Sequence, residues 1–452
     1  MPVQSIDPRQ GLLLYHNSFY GAIAQGRLEA RSERKRLTFP PDWRVTAYYP
    51  HALDRYPRLD DAALRASMHR PIGCPLLSEL ARQYGSAAVL VDDLSRPTPA
   101  YRVVGPVLQQ IQDGGIPPNR IRILIATGTH RPLVKFDHLA LHIEKKLKLG
   151  EAAVERYEVL DHDFTDEETY NVVAEIDEGP PVRVNKHLAE SLVVGISGVY
   201  PHGGAGFGGG AKIILPGVSH KDLIDWNHRT LEWQAYGTIY PEVITRPGIR
   251  RHMEKVARAV GLDFTLQIVT RPDQEIIGLF CGDFIHAHRR ACCLAWEAYE
   301  TPVPADSPDV ILVNGYPFDT DAGQVHRGDR FFQLHDRGVN VLFGGCYDQI
   351  AYHGQEGGYR EFLQDQEDLE QTPTYAFRSA QTDLAAHGEV VSLLHAPYLN
   401  ARIYGTSNPR FPLYGDWEAL VDAAASFLDH SRSEVAVFPF APLQLAAGAR
   451  PV

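Results

Sequence analysis

Lys212 stands in a bed of glycines, with His202 ten residues before it and His228 sixteen after it. Seven glycines fall from Gly203 to Gly217. Such a density costs backbone entropy in a regular helix or strand, so it marks places that need positive φ or a close approach of the backbone to a ligand. A lysine in that setting has little side-chain cover and is a reactive group; a purely structural loop is the plain alternative. Gly204, Gly206 and Gly209 fit the spacing of a dinucleotide turn, but the apolar run that should lead straight into it, residues 192–196, stops well short of Gly204. A P-loop needs Gly-Lys followed by Ser or Thr, whereas Ala211 precedes this lysine and Ile213 follows it.

Other groups could share a site with Lys212. Arg96 offers a planar fork suited to a phosphate or carboxylate, and Asp93 beside it could take a ribose hydroxyl; a structural ion pair is the alternative. His130 and His202 each follow a glycine-containing turn at the end of an apolar run, where a group titrating near neutral pH suits acid/base work. Either one alone reads as a structural histidine; two of them with a lysine are harder to dismiss. His228 lies beyond a helix start expected at Ser219, and its neutral imidazole could ligate a metal, against the plain reading of a helix histidine. His286, His288, Cys292 and Cys293 carry metal-binding atoms, but His286 and His288 point about 200° apart on a helix and only His288 and Cys292 share a face. Asp161, His162 and Asp163 read as a polar turn.

Placing these residues requires strands that end at them. Residues 86–91 form a short apolar run ending in Asp92-Asp93-Leu94-Ser95-Arg96-Pro97, after which Pro99 can open a helix towards Gly114. Residues 121–126 form a second run, ending in Thr127-Gly128-Thr129-His130; residues 192–196 form a third, leading to the glycine bed. Strands separated by helical stretches imply a parallel or mixed sheet, whose ligands sit beyond the carboxyl ends of the strands, so the three motifs are expected to converge. Further on, a hairpin is expected around residues 264–280, helices at 284–299 and 417–428, and strands at 309–314, 339–343, near Val390 and Ile403, and at 435–438. The prolines at 302, 304 and 308 mark a domain joint.

The expected fold class is therefore α/β, with two α/β domains of parallel or mixed sheets and the active site in the cleft between them. The expected domains are residues 1–282, anchoring the cofactor, with a terminal strand at 432–452 free to join it, and residues 283–431, binding substrate. A chain of 452 residues with 44% apolar content has ample material for such cores. A net charge of −12 argues against a nucleic-acid partner, and the basic run 31–36 is too short to change that. No apolar run reaches the length of a membrane span and MPVQSIDPRQ lacks a signal-peptide core, so the expected location is cytoplasmic, with no membrane partner. Five cysteines without a C-x-x-C point to reduced thiols.

Taken together, Asp93-Leu94-Ser95-Arg96-Pro97, Ala126-Thr127-Gly128-Thr129-His130-Arg131-Pro132, His202 with Ala205-Gly206-Phe207-Gly208-Gly209, Lys212 with Pro216-Gly217, and Asn227-His228 resemble the nickel-dependent lactate racemase family over nearly the whole chain. The resemblance implies a nickel-pincer nucleotide, that is, nickel pyridinium-3,5-bisthiocarboxylic acid mononucleotide, joined covalently to Lys212, with His228 completing the nickel coordination. Asp93, Leu94, Ser95 and Arg96 would hold the mononucleotide end, and His130 and His202 would be the paired acid/base residues. The implied reaction inverts C2 of a 2-hydroxy acid by reversible hydride transfer, with enzymes of cofactor biosynthesis as partners. Interconverting mirror images needs a planar intermediate and a proton-transfer group on each side, which two histidines supply.

The chain departs from the family at Ser95, where threonine is usual, and at Ala211, where arginine is usual. The substrate-binding Gln-x-x-Lys reads Gln324-Val325-His326-Arg327, and arginine is not interchangeable with lysine at a carboxylate contact. The expected substrate is therefore a 2-hydroxy acid other than lactate. The alternatives are a nicotinamide-dependent oxidoreductase built on Gly204, Gly206 and Gly209, and a non-catalytic homologue.

Overall fold

In a computed structural model, described for residues 1–18, 32–130, 138–231, 248–347, 389–398, 412–428 and 432–447, the chain divides into two compact units. One is drawn from Met1–Arg55 and Tyr299–Ala449, the other from Tyr56–Tyr236 and Pro241–Ala298. The first strands pair far along the chain. Arg44–Tyr48 lies parallel to Glu434–Phe438, and Val3–Ile6 lies antiparallel to Arg44–Tyr48, so the amino-terminal strands complete the later sheet.

The unit that holds the glycine bed is built on a six-stranded sheet. Its order is Ile276–Gly282, Leu262–Thr270, Leu192–Gly198, Ala87–Asp92, Ile121–Ala126, Glu158–Asp161. All neighbours are parallel except the expected hairpin, Leu262–Thr270 with Ile276–Gly282. The continuous apolar runs are explained by burial on both faces. Val89, Val91, Ile123, Ile125, Val194 and Ile196 face a core with Leu64, Val107 and Ile111, whereas Leu90, Leu124 and Val193 face Ile213, Leu223 and Met253 on the other side. The helix Asp61–Met68 begins where the Asp60 carboxylate accepts the Ala63 N–H, an N-cap. After Pro99 the chain first makes a 3-10 turn, Ala100–Arg102, and only then the helix Val104–Asp113.

The other unit has a seven-stranded sheet in the order Val3–Ile6, Arg44–Tyr48, Glu434–Phe438, Val310–Asn314, Arg337–Phe343, Glu389–His395, Leu413–Tyr414. It is parallel but for its first pair. The helix Trp417–Phe427 packs Trp417, Leu420 and Ala424 into its core. The strand expected near Ile403 lies outside the described residues. Among the described residues no helix is long and apolar enough to cross a membrane.

Candidate active site

The three strands expected to converge are immediate neighbours, and their carboxyl ends carry the three motifs. Asp93 follows Ala87–Asp92, His130 follows Ile121–Ala126 through a turn in which Gly128 has φ +60°, and the glycine bed follows Leu192–Gly198. Gly128 N donates to Gly217 O at 2.9 Å, which ties the His130 turn to the end of the bed.

Asp93 and His130 form a pair. His130 Nδ1 lies 2.7 Å from Asp93 Oδ2, and the Ser95 hydroxyl donates to Asp93 Oδ1 at 2.6 Å. Burial pushes the Asp93 carboxyl up, but the charge and hydrogen bond of His130, with Arg96 and Ser95, outweigh it and hold Asp93 well below the usual carboxylate range. An ionised carboxylate fixes the proton of neutral His130 on Nδ1, leaving Nε2 as the acceptor. Arg96 Nη1 donates to Ser95 Oγ at 2.8 Å, and Arg96 Nη2 reaches His130 Nε2 at 3.4 Å. Leu94, Ser95 and Arg96 are half-buried in the turn between. Asp93, expected at a ribose, has its carboxylate on His130, a pairing across 37 residues that spacing does not reveal. Arg131 and Pro132 lie outside the described residues.

His202 has the opposite tautomer. It sits in a two-stranded ribbon, Pro201–His202 with Gly206–Phe207. Its Nδ1 accepts from the backbone N–H groups of Gly204 at 3.2 Å and Ala205 at 3.1 Å, so the ring proton is on Nε2.

The bed then turns through Gly209 (φ +76°) and Gly210 (φ +60°) into the 3-10 segment Gly210–Ile213, which carries Lys212. A Cβ at Gly209 would meet Gln267 Oε1 at 2.6 Å, a second reason for glycine there. Side chains that no sequence motif singles out hold this backbone. Arg250, fully buried on the helix Gly248–Val260, donates through Nη1 to Gly209 O at 3.0 Å, through Nε to Ala205 O at 3.3 Å, and through Nη2 to Phe207 O. Gln267 Oε1 accepts from Gly210 N at 2.8 Å. His288, held neutral by burial, donates Nε2–H to Gly208 O at 2.8 Å, which gives the His288–Cys292 face a structural duty.

His228 lies on the helix Lys221–Thr230, capped by His220 Nδ1, which accepts from Asp222 N at 3.2 Å. Its Nδ1–H donates to Ile224 O at 3.0 Å, so the lone pair is on Nε2. Burial, then the nearby Lys212 charge, lower its pKa to about 3, against the opposing Ile224 bond. A neutral imidazole whose second nitrogen is fixed by a carbonyl is the form that binds a metal. Among the described residues no three His, Cys, Asp or Glu side chains gather to hold a metal by themselves. A metal at His228 would need further donors from outside these side chains, and Lys212 is near enough for its charge to lower the His228 pKa. A neutral imidazole beside a lysine fits a metal carried by a bound ligand.

Gln324 and Arg327 belong to the other unit. Asp321 Oδ1 accepts from Gln324 N at 2.9 Å at the start of the 3-10 segment Val325–Leu334. Arg327 Nε donates to Gln324 Oε1, and its guanidinium lies over the Phe318 ring at 4.9 Å. The two form a linked polar pair. The dinucleotide alternative loses its geometry: between the strand ending at Gly198 and the first α-helix, Lys221–Thr230, stand a ribbon and a 3-10 segment rather than one glycine turn into a helix. His162, read as part of a polar turn, is fully buried. Its backbone N donates to Ile125 O at 3.0 Å and its carbonyl accepts from Thr127 Oγ1 at 2.5 Å.

Residues 31–237 match the family model described as the lactate racemase N-terminal domain. A lactate racemase of Lactiplantibacillus plantarum is 31% identical over 305 residues, which are 66% of this chain and 69% of the relative. One of Thermoanaerobacterium thermosaccharolyticum is 29% identical over 308 residues, 67% of this chain and 69% of the relative. Among solved structures, the lactate racemase apoprotein from Thermoanaerobacterium thermosaccharolyticum superposes with a TM-score of 0.66 at 20% identity, covering 96% of this chain and all (100%) of that one. A Thermotoga maritima protein superposes with a TM-score of 0.59 at 17% identity, over 86% of this chain and 98% of that one. At those identities the superpositions speak for the fold alone.

Proposed function

The chain belongs to the lactate racemase family, and from that membership we propose that it is an isomerase inverting C2 of a 2-hydroxy acid. The observation that supports this reading is the gathering, at the carboxyl ends of neighbouring strands, of His130 oriented by Asp93 and of Lys212 beside a neutral His228. When bound, a lysine-tethered nickel-pincer mononucleotide supplies a hydride acceptor, which spares the protein from forming a carbanion beside a carboxylate. Lys212 is its point of attachment, His228 Nε2 its protein ligand to nickel, and Arg96 a partner for its phosphate. His130, whose ring proton is held on the Asp93 side, would accept a hydroxyl proton at Nε2, and His202 would serve the opposite hand of substrate. Gln324 and Arg327 take the substrate carboxylate. The partners are a small 2-hydroxy acid and the enzymes that build the cofactor, in the cytoplasm.

Intact mass and metal content after co-expression with cofactor-building enzymes test the assignment. The expected result is a mononucleotide adduct and nickel on the parent chain. Lys212→Ala loses the adduct and nearly all activity, whereas His228→Ala keeps the adduct and retains nickel poorly. An intact adduct on Lys212→Ala removes that lysine from its role. A parent chain with neither metal nor turnover is a binding protein, and net redox turnover with free dinucleotide makes it an oxidoreductase.

A further inference from the structure

One buried lysine in this unit has no part in the roles assigned above. Lys148, at the carboxyl end of the helix His138–Leu149, is 3% exposed. Its ammonium forms an ion pair with Asp92 Oδ1 at 2.5 Å and donates to two carbonyls, Asp93 O at 2.9 Å and Arg96 O at 3.1 Å. The last two carbonyls bracket the turn that carries Asp93, Ser95 and Arg96. Asp92 is anchored from the other side, since its Oδ2 accepts from Thr98 Oγ1 at 2.6 Å and Gly198 N at 3.3 Å. The helix bearing Lys148 is the next described element after His130 in the chain. One side chain therefore ties the element that follows His130 to the turn that presents its partner carboxylate.

Desolvating a lysine and an aspartate is costly, and apolar side chains of similar volume often stabilise such a position better, so stability alone explains this pair poorly. An ammonium does what an apolar group cannot: from one point it donates to two converging carbonyls and pairs with a carboxylate. We infer that Lys148 is a positioning residue that holds the turn from Asp93 to Arg96 so that the Asp93 carboxylate meets His130 Nδ1. Its catalytic consequence rests on the function proposed above; its geometric consequence does not.

The test reads both. In proton NMR of the full, unloaded chain, the His130 Nδ1–H in its short bond to Asp93 gives a far-downfield line, assigned by its absence in His130→Ala. Three variants are compared: Lys148→Met, Lys148→Arg, and Lys148→Met with Asp92→Asn, which removes both buried charges together. In the double variant the melting temperature returns close to the parent value, while the downfield line is lost and cofactor-loaded turnover falls about a hundredfold, the scale of a displacement of about 1 Å, with KM little changed. Lys148→Arg, whose donors are spread over a plane, folds and also loses the line. Retention of both line and turnover in any folded variant overturns the inference and leaves Lys148 a stabilising residue only. Absence of racemisation in the parent chain overturns the proposed function, and the line still decides the role of Lys148.

Discussion

The two oxygens of Asp93 serve different donors, Ser95 on one and His130 on the other, so replacing the carboxylate changes a tautomer as well as a charge. In Asp93→Asn the amide can turn its N–H2 towards the ring, which moves the imidazole proton to Nε2 and removes the base. Turnover should fall by about 10²–10⁴-fold, the usual worth of a positioned acid/base group; a loss below about tenfold would mean that His130 needs no orienting partner. The same carboxyl has a folded-state pKa below its unfolded value, so its stabilisation is present above the unfolded value and is lost as pH falls through the folded one. Urea midpoints of parent and variant should therefore differ at neutral pH and draw together in acid. Arg327 is the second residue with a local test. Gln324 and Phe318 hold it, and under the proposed function its fork would set the plane of a bound carboxylate where lysine presents a point charge. Chiral chromatography with lactate, malate, 2-hydroxyglutarate, phenyllactate and gluconate should show a substrate other than lactate to be preferred. Arg327→Lys should raise the relative efficiency on lactate, by as much as about a hundredfold if the shift in reach is about 1 Å; lactate as the parent's best substrate would make the arginine a neutral replacement.

Among the elements, the glycine bed is the one whose shape is imposed from outside. Its carbonyls at Ala205, Phe207 and Gly209 are gathered by the buried guanidinium of Arg250. Arg250→Met would take the guanidinium from Phe207 O, at about 1–3 kcal/mol, and from Ala205 O and Gly209 O, which keep the N–H groups of Phe207 and Lys212, less the relief of removing a buried charge. A net destabilisation of about 1–2 kcal/mol is expected in urea unfolding, with adduct yield on Lys212 reduced in step; wild-type stability would show that water or relaxation satisfies the bed. The bed itself was legible from its composition, and the strand ends that carry the motifs from apolar runs closed by Gly, Pro and Asp. Arg250 was not, because nothing local distinguishes it from Arg251 beside it or Arg258 about two turns on. Lys148 was hidden in the same way within EKKLKLG, which reads as a solvated charged face. Such residues are defined by carbonyls brought from elsewhere in the chain.

For the whole molecule, acid should be more damaging than the charge balance alone implies. His162 in one unit and His326 and His395 in the other are buried, and burial lowers each pKa to about 4. The unfolded chain binds protons at these sites from about pH 6.5 downward, so stability is full above that value and falls as pH drops towards 4. Urea midpoints should decline between pH 6.5 and 4, and His162→Asn should shallow that decline; a flat profile over the window would mean that the rings take up charge without unfolding. The division of the molecule was the least legible level. The strand Arg44–Tyr48 finds its partner in Glu434–Phe438, and no periodicity within the first fifty-five residues could announce a partner almost a whole chain away.

His202 keeps its Nε2 proton because two backbone N–H groups, from Gly204 and Ala205, point at Nδ1. To accept a proton at Nε2 it must first change tautomer and give up those contacts, whereas His130 already carries its proton on Nδ1. When the two ends of a reaction are mirror images, the equilibrium constant is unity, and kcat/KM must be the same in both directions whatever the enzyme does. The inequality of the two histidines cannot then appear as a preference at low substrate. It surfaces only near saturation, as a lower kcat and a proportionately lower KM for one hand, so that a molecule with unlike halves treats the two enantiomers differently only when crowded by them.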